Sequence, residues 1–304
     1  MNIEVLICTH NRVQLLERTL CFINKALCPP DTTITILVAA NACTDGTVQL
    51  LCQYNTQAQP QKYQLTYFEE PKPGKSNALN SAIPQLTGDI IAMVDDDHRI
   101  DVHYFTAIIQ ATRAFPHATL YCGKILPDWT GDEPGWAHDL SPYAIYPLPV
   151  PHYDLREKPL NIGEEGRLPG GGNLVIKNGV FDRVGNFSTA LGPQGHNLGG
   201  GEDTDFVQRA LDAGEIIKYY PPIKQFHFVE MERLTFKYLL AKSFQRSCSA
   251  TRINRQPGSG IPRYLWRKLL SYFIRASFSL YWPEKKFYMV RVAAALGEIR
   301  AHIR

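Results

Sequence analysis

The chain has no Cys-x-x-Cys pair, no run of eighteen or more uncharged apolar residues, and no glycine-rich phosphate loop behind its first apolar segment. Each absence excludes something. Seven scattered cysteines, an odd set, argue against both a zinc knuckle and a disulfide framework, so a reducing compartment is the expectation. Without a long apolar run nothing is expected to span a membrane. Met1 to Ile7 lacks a basic leader and the chain turns polar at Thr9, which reads as a first strand and not as a signal peptide. Charged residues make up only 20% of the 304, against 44% hydrophobic ones, and disorder is excluded as the main state. At this length folding should bury about 75% of the surface the unfolded chain exposes, so the core needs no staples.

What charge there is lies unevenly. The formal net charge is +3, yet residues 261–304 carry nine Lys or Arg against Glu284 and Glu298, a balance of +7 over a body of −4. A basic tail on a slightly acidic body calls for an anionic neighbour.

The first hundred residues alternate short β-rich apolar runs with helical patterns. Ile3 to Cys8, Thr33 to Ala39, Gln64 to Phe68 and Asp89 to Val94 read as strands; Val13 to Ala26, Thr47 to Tyr54 and Ser76 to Leu86 read as helices. Repeated βαβ units imply a mainly parallel sheet with helices on both faces, and ligands then bind beyond the carboxyl ends of the strands. The residues there are polar: Thr9 to Arg12, Asn41 to Gly46, Glu69 to Pro71 and Asp95 to His98. Thr44 and Asp45 are expected to cap the helix that follows them. From Pro127 to Pro169 no period is sustained, as in lids and binding loops. The linker Gln256 to Gly260 precedes two tail helices split by Pro283.

Two clusters carry chemistry. Ile90 to Val94 delivers Asp95, Asp96 and Asp97 at one strand end, where side chains alternate faces and cannot share one job. Clustered carboxylates repel unless a cation or hydrogen bonds compensate; hard oxygen ligands suit Mg2+ or Mn2+ on a diphosphate, and a solvated helix cap is the plain alternative. The second cluster is Gly199-Gly200-Gly201-Glu202-Asp203 at a helix start. Acids are favoured there by the macrodipole, and one beside a substrate hydroxyl can also serve as a general base.

With these clusters in place, residues 1 to about 250 resemble family 2 glycosyltransferases of the GT-A fold. Glu70-Pro71, Gly74-Lys75 and Ala78-Leu79-Asn80 match further positions of that pattern. The resemblance implies an α/β, Rossmann-like, mainly parallel sheet with flanking helices and a C-terminal helical tail. Residues 1–125 would form the nucleotide-sugar half, 126–255 the acceptor and catalytic half of the same domain, and 261–304 the basic tail. Thr9, Asn11, Arg12, Asn41 and Lys75 would line base and ribose, Asp96 would meet the ribose, Asp95 would support it, and Asp97 would hold the metal. His227 would add a late metal or diphosphate contact; a histidine between Phe226 and Phe228 is equally a satisfied core residue. Asp203 would be the base with Glu202 beside it on the acceptor. Gly170 to Asn173, with Gly171 and Gly172, and the loop bearing Trp129 and Trp136 would shape the acceptor side, though both tryptophans also suit core packing.

The reaction so implied is a metal-assisted, inverting displacement from a nucleoside-diphosphate sugar onto a saccharide or lipid-linked acceptor in polysaccharide or glycoconjugate synthesis. The family often has an acid at the end of the second strand, where this chain has Ala40 before Asn41; asparagine offers hydrogen bonds without charge, and uridine is the default base. A sugar-nucleotidyltransferase would need the missing phosphate loop, and a silent sugar- or membrane-binding module would not need the intact acids. No nucleic-acid partner is expected. The tail would lie on an anionic membrane, placing a cytoplasmic enzyme on the inner face, or would pack onto the catalytic domain or a second copy of the chain.

Overall fold

The computed structural model describes residues 1–55, 62–164, 167–191, 201–254 and 260–303. Strands β1 (Asn2–Thr9), β2 (Thr33–Asn41), β3 (Gln64–Glu70) and β4 (Ile90–Met93) lie parallel in the order β3-β2-β1-β4. Helices α1 (Val13–Lys25), α2 (Thr47–Tyr54) and α3 (Lys75–Ala82) lie on the crossovers between them. Cys8 pairs with Ala39, Asn41 with Glu70 and Leu6 with Met93, so Thr9, Asn41 and Asp95 all emerge at the carboxyl edge.

Both faces of this half are covered. Ile3, Val5 and Ile7 pack with α1, α2 and α4 (Tyr104–Ala114), while Leu6, Leu37 and Met93 pack with α3, α5 (Val180–Val184) and α6 (Glu202–Asp212). Alternate residues of one strand feed opposite cores, which is why Ile90 to Val94 is an unbroken apolar run.

Beyond β4 the sheet becomes mixed. Its remaining strands among the described residues are β5 (His98–Ile100), β6 (Leu120–Asp128), β7 (Leu160–Asn161), β8 (Leu174–Lys177) and β9 (Ile217–Phe228), continuing the order β4-β8-β6-β9-β5 with β7 also on β9. β8 is antiparallel to β4 and β6, whereas β6 and β9 run parallel. The short antiparallel β5 pairs with β9 so that His98 faces His227. The sheet is thus parallel where regular βαβ periods are legible and partly antiparallel beyond them.

The contacts group the chain into two compact units. Met1–Asp128 with His152–Phe228 holds the sheet; Trp129–Pro151 with Val229–Arg304 holds α7 (Phe236–Asn254), α8 (Arg263–Phe278) and α9 (Trp282–His302). Residues 129–151 and 229–254, expected above in the acceptor half, group with the tail helices instead. Trp129, Trp136 and Leu148 pack there against Val150, Val229 and Leu234. Pro283 sits in the first turn of α9, where a missing N–H costs nothing. Gln256 to Ser259 of the expected linker lie outside the described residues.

Candidate active site

The turn after β4 is pinned from α1. The Thr19 hydroxyl lies 2.9 and 2.8 Å from the carbonyl oxygens of Asp96 and His98. Thr9 Oγ1 donates to Asp96 Oδ2 at 2.7 Å, and Arg12 Nη1 donates to Asp96 Oδ1 at 3.1 Å and Asp97 Oδ2 at 2.9 Å. Burial and the neighbouring Asp97 charge push Asp96 up to about 6 even so. Asp95 goes the other way: burial opposes its charge, yet Lys75 holds it well below the usual carboxylate range. Three successive acids therefore have different surroundings, as their alternation requires.

Lys75, the first residue of α3, connects this turn to α6. Its Nζ is 3.0 Å from Asp95 Oδ1, 3.6 Å from Asp203 Oδ2 and 3.9 Å from Glu202 Oε1. Burial alone would lower the ammonium's pKa; Asp203, Asp95 and Glu202 outweigh it and raise the value well above the ordinary one. Burial, then Asp203, raises Glu202. Glu202 Oε2 and Asp203 Oδ1 are buried with no hydrogen-bond partner among the described residues, although most buried polar atoms have one. Asp205 instead pairs with Arg209 at 2.9 Å. Gly199 and Gly200 of this motif lie outside the described residues.

A third group closes the cavity. His227 Nδ1 is 2.6 Å from the carbonyl of Phe228, so that nitrogen carries the proton and Nε2 faces Asp97 Oδ2 at 3.4 Å. Burial lowers the His227 pKa despite Asp97, which favours the neutral, ligating form. His98, which the sequence pattern left without a role, stands with its ring centroid 5.1 Å from that of His227. Donor atoms of Asp97, His98 and His227 all lie within 4.8 Å of one another, and one oxygen with two imidazole nitrogens suits a divalent transition metal. The cavity, about 240 Å³, is lined by Thr9, Arg12, Asn41, Lys75, Asp95, Asp96, Asp97 and His227.

Other expected contacts are committed elsewhere. Asn41 Nδ2 donates to Lys72 O at 2.8 Å and its Oδ1 accepts from Gly74 N at 2.8 Å, so its amide fastens the β3–α3 loop. Asn11 Oδ1 accepts from Thr44 N at 2.6 Å, tying the first loop to the second. Asp45 does act as a cap, accepting from the amides of Thr47 and Val13 at 3.0 and 3.1 Å. Asn173 is only 1% exposed; its Nδ2 donates to Lys124 O and Ile223 O and its Oδ1 accepts from Tyr104. That makes it a framework residue joining β6 and β9, not the acceptor contact expected above. Gly171 and Gly172 matter by what they lack. A Cβ at Gly171 would lie 2.2 Å from Asp203 Oδ1, and one at Gly172 would lie 2.5 Å from Asp95 Oδ2.

The fold is thus a GT-A-type α/β sheet whose carboxyl edge gathers acids, a lysine and His227 around one cavity. Residues 4–183 match Glycosyl transferase family 2, and the chain belongs to that family. The glucosyl-dolichyl phosphate glucuronosyltransferase of Haloferax volcanii is 27% identical over 164 residues, which is 54% of this chain and only 50% of that protein. The succinoglycan biosynthesis protein ExoM of Rhizobium meliloti is 22% identical over 276 residues, covering 89% of this chain and 81% of the other. Among solved structures, S. aureus TarS 1–349 in complex with UDP-GlcNAc matches all of this chain and 91% of its own at TM-score 0.57 and 12% identity. The mannosyltransferase PcManGT from Pyrobaculum calidifontis, in complex with GDP-Man and Mn2+, matches 98% and 86% at TM-score 0.56 and 18% identity.

Proposed function

We propose that the chain transfers a hexosyl group from a nucleoside-diphosphate sugar, by default a UDP-sugar, to an acceptor hydroxyl with inversion. The observation that carries this is Asp203, whose Oδ1 is buried with no hydrogen-bond partner among the described residues and whose Oδ2 lies 3.6 Å from Lys75, a residue lining the cavity edged by Asp95 to Asp97. In this reading the acceptor oxygen forms a bond to the anomeric carbon, the bond to the diphosphate breaks with its electrons leaving on the nucleotide, and Asp203 takes the acceptor's proton. Lys75 holds Asp203 Oδ2 and orients the carboxylate. Glu202 lies beside the acceptor, and Asp95 and Asp96 face the donor. Asp97 and His227 would hold a divalent cation, which when bound offsets charge growing on the diphosphate.

The acceptor reading extends to a lipid-linked saccharide at an anionic membrane surface. What supports it is α8, whose Trp266, Leu270, Phe273, Ile274 and Phe278 are exposed on one face with Arg263 and Arg267. No helix among the described residues is long and apolar enough to cross a membrane. An apolar groove of about 540 Å³, lined by Leu240, Phe273, Met289, Val292 and Leu296, opens in the same unit.

The test is a screen of nucleotide sugars with Mn2+ present, scoring diphosphate release and then adding candidate acceptors. Chelator and Asp97→Asn should each abolish transfer. Full activity in chelator would remove the metal assignment.

A further inference from the structure

Gln225 lies inside the sheet, 0% exposed, and its surroundings fix which way its amide points. One end meets the carbonyl oxygen of Met93 at 3.1 Å, a group that can only accept, so that end is the NH2. The same nitrogen reaches Tyr104 Oη at 2.8 Å and Asn173 Oδ1 at 3.0 Å. Asn173 Oδ1 is in turn identified as oxygen because Asn173 Nδ2 serves two carbonyls. Gln225 Oε1 is therefore the atom that faces His98 Nδ1 at 2.5 Å, and His98 Nδ1 must carry a proton to donate to it.

That proton decides the other nitrogen. His98 is 1% exposed, and Asp97 Oδ1 and Asp95 Oδ2 stand 3.8 and 3.9 Å from its Nε2, beyond hydrogen-bonding distance. His227 is arranged the same way by a different device, its Nδ1 proton on Phe228 O and its Nε2 toward Asp97. Two imidazoles whose outer nitrogens are both committed to donation present two lone pairs to one carboxylate. A histidine oriented by hydrogen bonding through its far nitrogen is how proteins aim a metal ligand. The β5–β9 pairing that sets His98 opposite His227 aligns the two backbones for this.

We infer that His98 is a third protein ligand, so that Asp97, His98 and His227 form a nitrogen-rich site selecting Mn2+ or a later divalent transition metal over Mg2+. This rests on the metal reading of Asp97 and His227 and specifies it. Two nitrogens and one oxygen favour metals later in the divalent series, whereas Mg2+ prefers carboxylate, phosphate and water oxygens. Arg12 already offsets the Asp97 charge through Oδ2, leaving Oδ1 on the His98 side.

The experiment uses the full chain and Mn2+ alone as probe. Electron spin echo modulation from bound Mn2+ counts the imidazole nitrogens coupled to it, and calorimetry gives the affinity with Mg2+ as competitor. Two nitrogens are expected in the unsubstituted protein, with Mg2+ weaker than Mn2+ by at least about tenfold. His98→Asn, whose amide can still donate to Gln225, should fall to one nitrogen and lose Mn2+ affinity at least about tenfold, with thermal melting as the check on folding. One nitrogen in the unsubstituted protein, or unchanged modulation in His98→Asn, overturns the inference while the Asp97 and His227 assignment stands. No Mn2+ binding overturns both. Should His98→Asn not fold, the nitrogen count in the unsubstituted protein decides alone.

Discussion

Asp203 has its two oxygens in unlike surroundings, Oδ2 facing Lys75 at 3.6 Å and Oδ1 buried without a partner among the described residues. A base needs an oxygen that no other hydrogen bond already uses, which Oδ1 supplies, and it needs the lysine close enough to keep the carboxylate ionised and still. Asp203→Asn should bind donor nearly normally yet turn over at least about a hundredfold more slowly, the usual scale for acid–base catalysis. Donor affinity and single-turnover rates, measured separately, check this; if Asp203→Asn keeps full turnover while Glu202→Gln loses it, the two acids exchange roles. Gly171 offers an independent handle. Its missing Cβ leaves room for the Asp203 carboxylate, all three of whose terminal atoms would otherwise lie within 2.6 Å of it. Gly171→Ala must displace that carboxylate, and a displacement near 1 Å is enough for a rate loss on the order of a hundredfold. The diagnostic outcome is a fall in kcat with little change in donor affinity; unchanged kcat would mean that Asp203 has another working position.

At the scale of elements, the legible parts are those whose information is local. β1 to β4 and α1 to α3 fall within four residues of the expected spans, α2 with no difference, because each buries a regular stripe. β6, β8 and β9 escaped, since their pairings are set by partners far away and not by a period. The same holds for the site: strand-end acids are local motifs, whereas His98 and Gln225 meet across 127 positions, and no spacing rule reaches that far. Asn41 and Asn173 spend their amides on backbone groups of neighbouring elements, because residue type does not say which carbonyls an amide will find. Two element-level predictions follow from close contacts. Arg183 on α5 forms a bidentate pair with Glu215, ahead of β9, and this hydrogen bonding lowers the Glu215 pKa from 4.5. A depressed carboxylate stabilises the fold above its unfolded pKa and loses that contribution as pH falls through its folded value. Glu215→Gln should therefore be less stable near neutrality, by about 1 kcal/mol or less because Arg183 is half-exposed, with the gap in melting temperature closing as pH falls below 4.5. A gap that persists undiminished into acid would assign the effect to packing. Where α7 meets α9, a Cβ on Gly297 would lie 2.2 Å from the carbonyl oxygen of Phe244. Gly297→Val should destabilise by about 1–3 kcal/mol as the helices are forced apart, seen as a lowered unfolding midpoint.

At the scale of the whole molecule, the exposed face of α8 determines what surface the protein can meet. Leu265 and Ala276 are buried, while Phe278 is 80% exposed and Trp266, Leu270, Phe273 and Ile274 are exposed beside it. Charge is also partly used: Lys268 pairs with Glu298 at 2.8 Å and Arg275 donates to Tyr288 Oη at 2.6 Å. Those two cations are held within the unit, and Arg263 and Arg267 flank the apolar face. At about 1 kcal/mol for each basic residue near an anionic bilayer, two arginines supply less than several buried aromatic and aliphatic side chains do, at about 1.5–3 kcal/mol apiece when fully buried. Binding to anionic vesicles should then be led by apolar insertion, with salt weakening it only in part. In flotation assays the full chain should rise with vesicles containing anionic lipid, retain a measurable fraction at high salt, and lose binding in the Trp266→Ser, Phe273→Ser, Phe278→Ser triple variant while its melting curve is kept. Complete release by salt alone would make the contact electrostatic and leave the aromatic face unexplained. A folded chain that never floats, and that sediments as a dimer which the triple variant dissociates, would assign the face to a second copy of this chain.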